Sequence, residues 1–188
     1  NHHKNRLNMR LELTKNEMLA LWKRRHFLEP LRADCRIERS DGVDLDAIAT
    51  EEMRLWYLKQ LAEAPPDMLA PSDLAMTAKV RRSPQGTGLI TLPGNVVRVI
   101  AVRLGGWECQ ARILPAGSRD EQRAGNRFAR GGVADPSAVL RPGNILELFS
   151  LDSPHTIPVV DILTVIEDPG PDIYIMDERL VERMQPII

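Results

Sequence analysis

LPGNVVRVIAVRLGGWECQARIL, Leu92 to Leu114, is the stretch on which the fold turns. It predicts a β-hairpin entered through Leu92-Pro93, with two strands meeting at Gly105-Gly106. Gly-Gly supplies the positive φ angles that a tight hairpin turn requires. On a regular strand Val97, Val99, Ala101 and Arg103 share one face, while Val96, Arg98, Ile100, Val102 and Leu104 share the other. Arg98 and Arg103, five positions apart, then point to opposite faces, so at least one needs a carboxylate partner or open solvent. Nothing in the stretch is catalytic. It separates a helical first third from a strand-rich remainder.

On the N-terminal side, Thr14-Lys15-Asn16-Glu17 matches a capping box. Met18, Leu19, Leu21, Trp22 and Phe27 follow as the apolar positions of a helix that Pro30 stops. Lys23-Arg24-Arg25-His26 lies on its C-terminal half, where cations complement the helix dipole; it reads as a solvated helix end or as a partner patch. Ser40-Asp41-Gly42 is a turn. A second helix runs from about Asp44 to Ala64 on Leu45, Ile48, Ala49, Met53, Trp56 and Leu61, and Pro65-Pro66 ends it. Trp56-Tyr57 is either core or a binding anchor. The proline-rich run from Pro65 to Ser72 marks a boundary, dividing a helical segment 1–66 from a β-rich unit 67–188 within what is also readable as one domain.

Beyond it, Met76 to Arg82 and Gly88 to Thr91 read as paired strands. The segment Ser118 to Gly132 offers a capping signal at Ser118-Arg119-Asp120-Glu121, but Gly125, Gly131 and Gly132 favour a long loop. Its four arginines, Arg119, Arg123, Arg127 and Arg130, would share one face of any helical stretch. They suit contact with phosphate or an acidic neighbour, or are plain surface charge. Ala138 to Leu140, the turn Arg141-Pro142-Gly143-Asn144 and Ile145 to Ser150 form a second hairpin. Ile157 to Ile166 is a strand, Asp168-Pro169-Gly170-Pro171 breaks it, Ile173 to Met176 is extended, and Asp177 caps a last helix through Met184. The sum is an α+β fold: an N-terminal helical pair beside a mostly antiparallel β unit, with a short C-terminal helix.

Composition narrows the function. The 188 residues are 43% hydrophobic but only 4% aromatic, so the core is aliphatic. The net charge of -1 conceals an asymmetry: residues 79–141 carry 11 basic and 4 acidic side chains, about +7, and residues 142–188 carry 2 and 9, about -7. The basic side is almost all arginine, which pairs in a planar fork with carboxylate or phosphate. No run of roughly 18 apolar residues is present and Asn1-His2-His3-Lys4-Asn5 is polar, so neither a membrane span nor a signal peptide is expected, which points to a cytoplasmic chain. Cys35 and Cys109 lie in different elements and read as reduced, partly buried thiols. His2-His3 is at most an adventitious metal pair, and no metal or cofactor site is expected. No phosphate loop, dinucleotide fingerprint or nucleophile elbow occurs. Asp161, Glu167 and Asp168 read as solvated strand-end acids, and Glu108, Cys109 and His155 are the nearest approach to a scattered catalytic or ligand site.

The order of elements carries a resemblance. A helical pair precedes a strand introduced by Leu92-Pro93 and running VVRVIAVRL. Trp107 follows, then a hairpin ending ILELFS, and last VIEDPGPDIYIMDERLVERM. Over residues 88–184 this resembles the head–tail connector (adaptor or ring) proteins of tailed bacteriophages and their prophage relatives. In that family Leu-Pro opens an arginine-bearing strand, a later hairpin ends in a Leu-x-Leu-aromatic strand (here Leu146, Leu148 and Phe149), and an apolar strand runs through a Pro-containing acidic turn into a closing helix. The resemblance implies a non-enzymatic virion component without cofactor. It would assemble as a ring, typically of twelve copies, between the portal protein and the tail or other ring proteins while DNA passes through the centre. Such a protein is found in the virion, and in the host cytoplasm during assembly. The contact residues chemistry suggests are Trp22, Arg24, Arg25, Arg119, Arg123, Arg127 and Arg130. Two other classes stay open: a nucleic-acid-binding domain using Lys79, Arg81, Arg82, Arg98, Arg103, Arg112 and the loop arginines, and a small-ligand binder or enzyme without a recognisable motif.

Overall fold

The computed structural model describes residues 10–26, 42, 44–151 and 155–184. In chain order its elements are β1 (Arg10–Thr14), α1 (Lys15–His26), α2 (Leu45–Glu63), a 3-10 turn (Pro66–Met68), β2 (Ser72–Asp73), β3 (Val80–Arg82), β4 (Gly88–Thr91), β5 (Val96–Leu104), β6 (Arg112–Leu114), α3 (Arg119–Gly125), β7 (Ser137–Arg141), β8 (Ile145–Leu148), β9 (Val160–Glu167), β10 (Ile173–Asp177) and α4 (Glu178–Val181). The fold is α+β, and every strand pair is antiparallel except β6 with β7. Phe27, Pro30, Cys35, Ser40, Asp41 and His2-His3 lie outside the described residues.

The chain divides into two units, residues 1–70 with 168–188, and residues 71–167. The break falls inside the proline-rich run, but the last strand and helix group with the N-terminal residues rather than with the β-rich part. The reason is pairing: β1, which the sequence reading passed over, runs antiparallel to β10 from Arg10 opposite Asp177 to Thr14 opposite Ile173.

In the first unit the capping box forms as expected. The Thr14 N–H and hydroxyl donate to Glu17 Oε2 at 2.8 and 3.0 Å, and the Glu17 N–H donates to Thr14 Oγ1 at 3.3 Å. Asp44 Oδ1 accepts the N–H groups of Asp46 and Ala47 at the start of α2. Met18, Trp22, Ala49, Met53, Tyr57 and Leu61 are buried, so Tyr57 is core, whereas Ile48 faces outward. The Tyr57 hydroxyl donates to the Ile175 carbonyl and accepts its N–H, both at 3.0 Å, clipping α2 to β10; burial pushes this phenol up. Arg54 pairs with Asp168, and Arg179 reaches both Asp177 and Asp67. Asp177 does cap the last helix, which spans four residues rather than running to Met184.

The second unit is two sheets, of order β2-β9-β5 and β3-β4-β8-β7-β6. They share one aliphatic core that includes Val99, Val102, Leu163 and Val165 from the first, Ile90, Leu146 and Leu148 from the second, and Trp107. The β3–β4 pair and the β7–β8 hairpin form as the sequence predicts.

The central hairpin does not form. Gly105-Gly106 makes a tight turn, with Gly106 at φ 91° and the Trp107 N–H donating to the Leu104 carbonyl at 3.1 Å. But β5 pairs with β9, and β6 pairs in parallel with β7 in the other sheet. Trp107 redirects the chain: its buried indole donates to the Ser150 carbonyl at 2.9 Å, beyond the end of β8.

The expected faces of β5 are corrected as well. Val96, Val99 and Val102 lie opposite Glu167, Val165 and Leu163, because the register steps past Val97 and Ile100 at two β-bulges. Each bulge inserts one residue and resets the alternation. All three valines therefore face the shared core. Arg98 and Arg103, opposite Ile166 and Ile162, lie together on the other face, and both are half-buried.

Candidate interaction site

The arginine-rich segment lies at the surface of the second unit, with Arg119, Arg123, Arg127 and Phe128 exposed. Ser118 caps α3, its Oγ accepting the Glu121 N–H at 3.2 Å. Residues 119–125 are thus a helix, not the start of a long loop. Ala124 is the only buried side chain of this helix and packs with Leu114, Val139 and Phe149. This covers the face of the five-stranded sheet turned away from the shared core. A polar clamp completes the attachment. Arg141 on β7 pairs with Glu121 on α3 and, through Nε at 2.7 Å, with Glu147 on β8. Glu147 also accepts the Thr87 hydroxyl at 3.1 Å. The Gly117 N–H, with help from Arg141, holds the Glu121 carboxyl below its usual range. For Arg141 burial works against the charge, but the bonds to Glu147 and Glu121 outweigh it.

After α3 the chain is pinned back along residues 108–112. The Glu108 N–H donates to the Val133 carbonyl and the Arg112 N–H to the Pro136 carbonyl, both at 3.0 Å. The Arg112 guanidinium grips Asp135 with two bonds of 3.0 and 3.1 Å. Ser150, at φ 68°, donates its hydroxyl to the Gly131 carbonyl.

Two adjoining clefts result. One, of about 220 Å³, is lined by Arg112, Asp120, Arg123, Arg130 and Asp135 among others. The next, of about 300 Å³, is lined by Arg127 and Arg130 with Gly86, Gly132, Val133 and Leu151. Arg130 and Gly131 belong to both. Phe128 stands beside them, 85% exposed, under the Arg127 guanidinium at 4.7 Å. Arg123 Nε donates to the Ala129 carbonyl at 3.3 Å. Among the described residues Arg119 and Arg130 make no side-chain hydrogen bond or ion pair, unlike Arg112 and Arg141. Arg119 and Arg123 lie on α3, while Arg127 and Arg130 lie on the turn after it, so the four do not share a single helical face.

Other expected contact residues fare differently. Trp22 is 3% exposed, stacked on His26 at 3.8 Å and tilted against Trp56 at 5.8 Å. It is a packing residue, because its indole closes the contact between α1 and α2. Arg24 and Arg25 are exposed on the last turn of α1, in the first unit. The wider basic set does not form one surface. Lys79, Arg81 and Arg82 lie at or beside β3, at one edge of the five-stranded sheet, and Arg112 lies on β6 at the other, with three strands between. Cys109 is exposed, not partly buried, and its thiol donates to the Ala134 carbonyl at 3.4 Å. Glu108, Cys109 and His155 line neither cleft. Among the described residues no group of three His, Cys, Asp or Glu side chains could hold a metal ion, and no helix is long and apolar enough to cross a membrane.

Sequence reasoning missed Phe128 and took Gly131 only as one of three loop glycines. A lone aromatic between two arginines and one glycine among several carry no periodic signal.

No family model matches the chain, and no curated protein matches it significantly.

Proposed function

We propose that this chain is a non-enzymatic structural protein of the head–tail connector kind, acting by assembly with a portal protein, with tail or other ring proteins and with copies of itself. The observation that carries this reading is the face around α3. Exposed Phe128 lies under the Arg127 guanidinium, Arg119 and Arg130 make no side-chain bond among the described residues, and arginine with an aromatic anchor is the composition of a protein-interface hot spot. The order of elements from Leu92-Pro93 to the closing helix supports the same reading. Contacts between unlike surfaces of identical subunits close into rings when the rotation permits. On this reading the protein works in the virion, and in the host cytoplasm during assembly, in a ring of about twelve copies as the resemblance implies.

The test is electron microscopy and native mass spectrometry of the full chain, alone and co-expressed with a portal protein of a tailed phage. Ring-shaped complexes on the portal are expected. A chain that never binds portal, whether monomeric or self-associated, sinks the proposal.

The pairing of Arg127 with exposed Phe128 favours one second reading, single-stranded nucleic-acid binding by stacking and phosphate contact. It requires retardation of a labelled oligonucleotide at low salt that weakens steeply as salt rises. No retardation at low salt removes it.

A further inference from the structure

We infer that copies of this chain dock head to tail, the outer face of α2 in one copy meeting α3 and the Arg127-Phe128 turn that follows it in the next. This rests on the assembly reading above and names its contact.

The first surface is read from α2. Positions 48, 51, 52, 55, 59 and 63 fall within one stripe at 100° per residue, and all six side chains are exposed. Ile48 and Leu55, 44% and 67% exposed, are its two aliphatic side chains and lie two turns apart on that stripe. They are bracketed by Glu51, Glu52 and Glu63, with Lys59 the single opposing charge. Among the described residues these three carboxylates make no ion pair or hydrogen bond. Anchors at i and i+7 with acids between them are the pattern of a helix that lies on a cationic surface.

The second surface has the complementary make-up. Phe128 is its exposed apolar side chain, with the Arg127 guanidinium over the ring at 4.7 Å; Arg123 and Arg130 line the adjoining cleft, where Asp120 and Asp135 are the acids, and Arg119 is exposed on α3. Each face thus presents exposed apolar side chains beside charges mostly of one sign, and the prevailing signs oppose. Such matching steers encounter and fixes register, and like faces repel. The two patches are different surfaces of one chain, so the contact repeats from copy to copy and closes into a ring where the rotation allows. Docking removes Leu55, Ile48 and Phe128 from water together.

The test uses the full chain and two charge-reversed variants, Glu51→Arg/Glu52→Arg and Arg119→Glu/Arg127→Glu, followed by sedimentation velocity at low and high salt. All four positions are exposed and none holds an intrachain ion pair, so thermal melting of each variant is expected to match the parent. The parent is expected to self-associate with concentration, less at high salt. Each variant alone should lose self-association by about tenfold or more, and an equimolar mixture should regain it, since each supplies the face the other lacks. Leu55→Asp should weaken association, with no rescue by Glu51→Arg/Glu52→Arg, which lacks the same α2 face, and with recovery on mixing with Arg119→Glu/Arg127→Glu, whose α2 face is intact. The contact is overturned if the mixture associates no better than its parts, if the reversals have no effect, or if the parent stays monomeric at every concentration and salt. A monomer that nevertheless binds portal overturns this contact and leaves the proposed function standing; self-association through this contact without portal binding does the reverse.

Discussion

Gly131 shows how one residue shapes the arginine clefts. A Cβ at this position would overlap the Asp135 carbonyl oxygen and lie 2.9 Å from the Asp135 Cβ, whereas one at Gly132 meets nothing within 4 Å. Backbone, not a flexible side chain, is in the way, so the 131–135 turn must open to admit it. Gly131→Ala is expected to cost about 1–3 kcal/mol of stability in urea unfolding, and Gly132→Ala to stay within about 0.5 kcal/mol of the parent. Equal effects would show that the close approach of Gly131 to Asp135 does not govern the site. Glu121 gives a pH prediction with a definite sign. Its folded carboxyl titrates below its unfolded one, so the stability it adds is present above the ordinary glutamate range and is lost as pH falls through that range toward the folded value. Glu121→Gln should therefore lower the urea midpoint at neutral pH and flatten its decline in acid. An unchanged acid slope would remove Glu121 from the clamp.

Strand β5 is where element-level reasoning from sequence met its clearest correction. VVRVIAVRL is a strand, as its β-branched content requires, and Leu92-Pro93 does precede it. Its facing was not readable, because bulges depend on how β9 is bound and leave no mark in alternation. The bulged register makes a prediction that a regular strand contradicts. Val99→Asp and Val102→Asp should both abolish folding of the second unit, since each buries an unpaired carboxylate in the shared core. Ala101→Asp, on the face of Arg98 and Arg103, should be tolerated. On a regular strand Val99 and Ala101 would share a face opposite Val102, so severe Val99→Asp with mild Val102→Asp, read by amide dispersion in NMR, would refute the register. Helix α3 carried a legible start in Ser118-x-x-Glu121. Its glycines argued for a loop, but Gly125 only ends the helix, and Gly131 serves the turn that follows. Strand β1 is five residues beside a strong helix signal, and its partner β10 lies more than 150 positions away.

At the scale of the whole molecule, the charge asymmetry of the linear chain does not survive folding as two opposed blocks. By sequence count residues 71–167 carry 11 basic and 9 acidic side chains, about +2, and the remainder about -3. Part of the +7 and -7 contrast is neutralised within one unit, as by Arg141 with Glu147. What persists is local, around α3 and along α2. The division into units predicts different responses to truncation. Residues 71–167 contain all the strands of both of their sheets and should fold alone, with cooperative unfolding in urea. A chain ending at Glu167 deprives β1 of β10 and Tyr57 of Ile175, and its first unit should fail to fold while residues 71–167 persist. Loss of both units together on that truncation would refute the division.

Helix starts at Thr14, Asp44 and Asp177, the turns at Gly105-Gly106 and Gly143-Asn144, the α+β class and the arginine content are all legible along the chain. Each rests on residues within about four positions of where it acts, through caps, positive φ angles and periodicity. Strand partners, the bulges in β5, the return of β10 to β1, the burial of Trp22 and the exposure of Phe128 rest on contacts between distant positions. Many alternative pairings satisfy the same local rules, and close packing selects among them. The Leu92–Leu114 stretch shows both sides: its strand and its turn are written in its own residues, whereas its partner β9 and the capture of Trp107 by Ser150 are settled only when the two sheets close on one core.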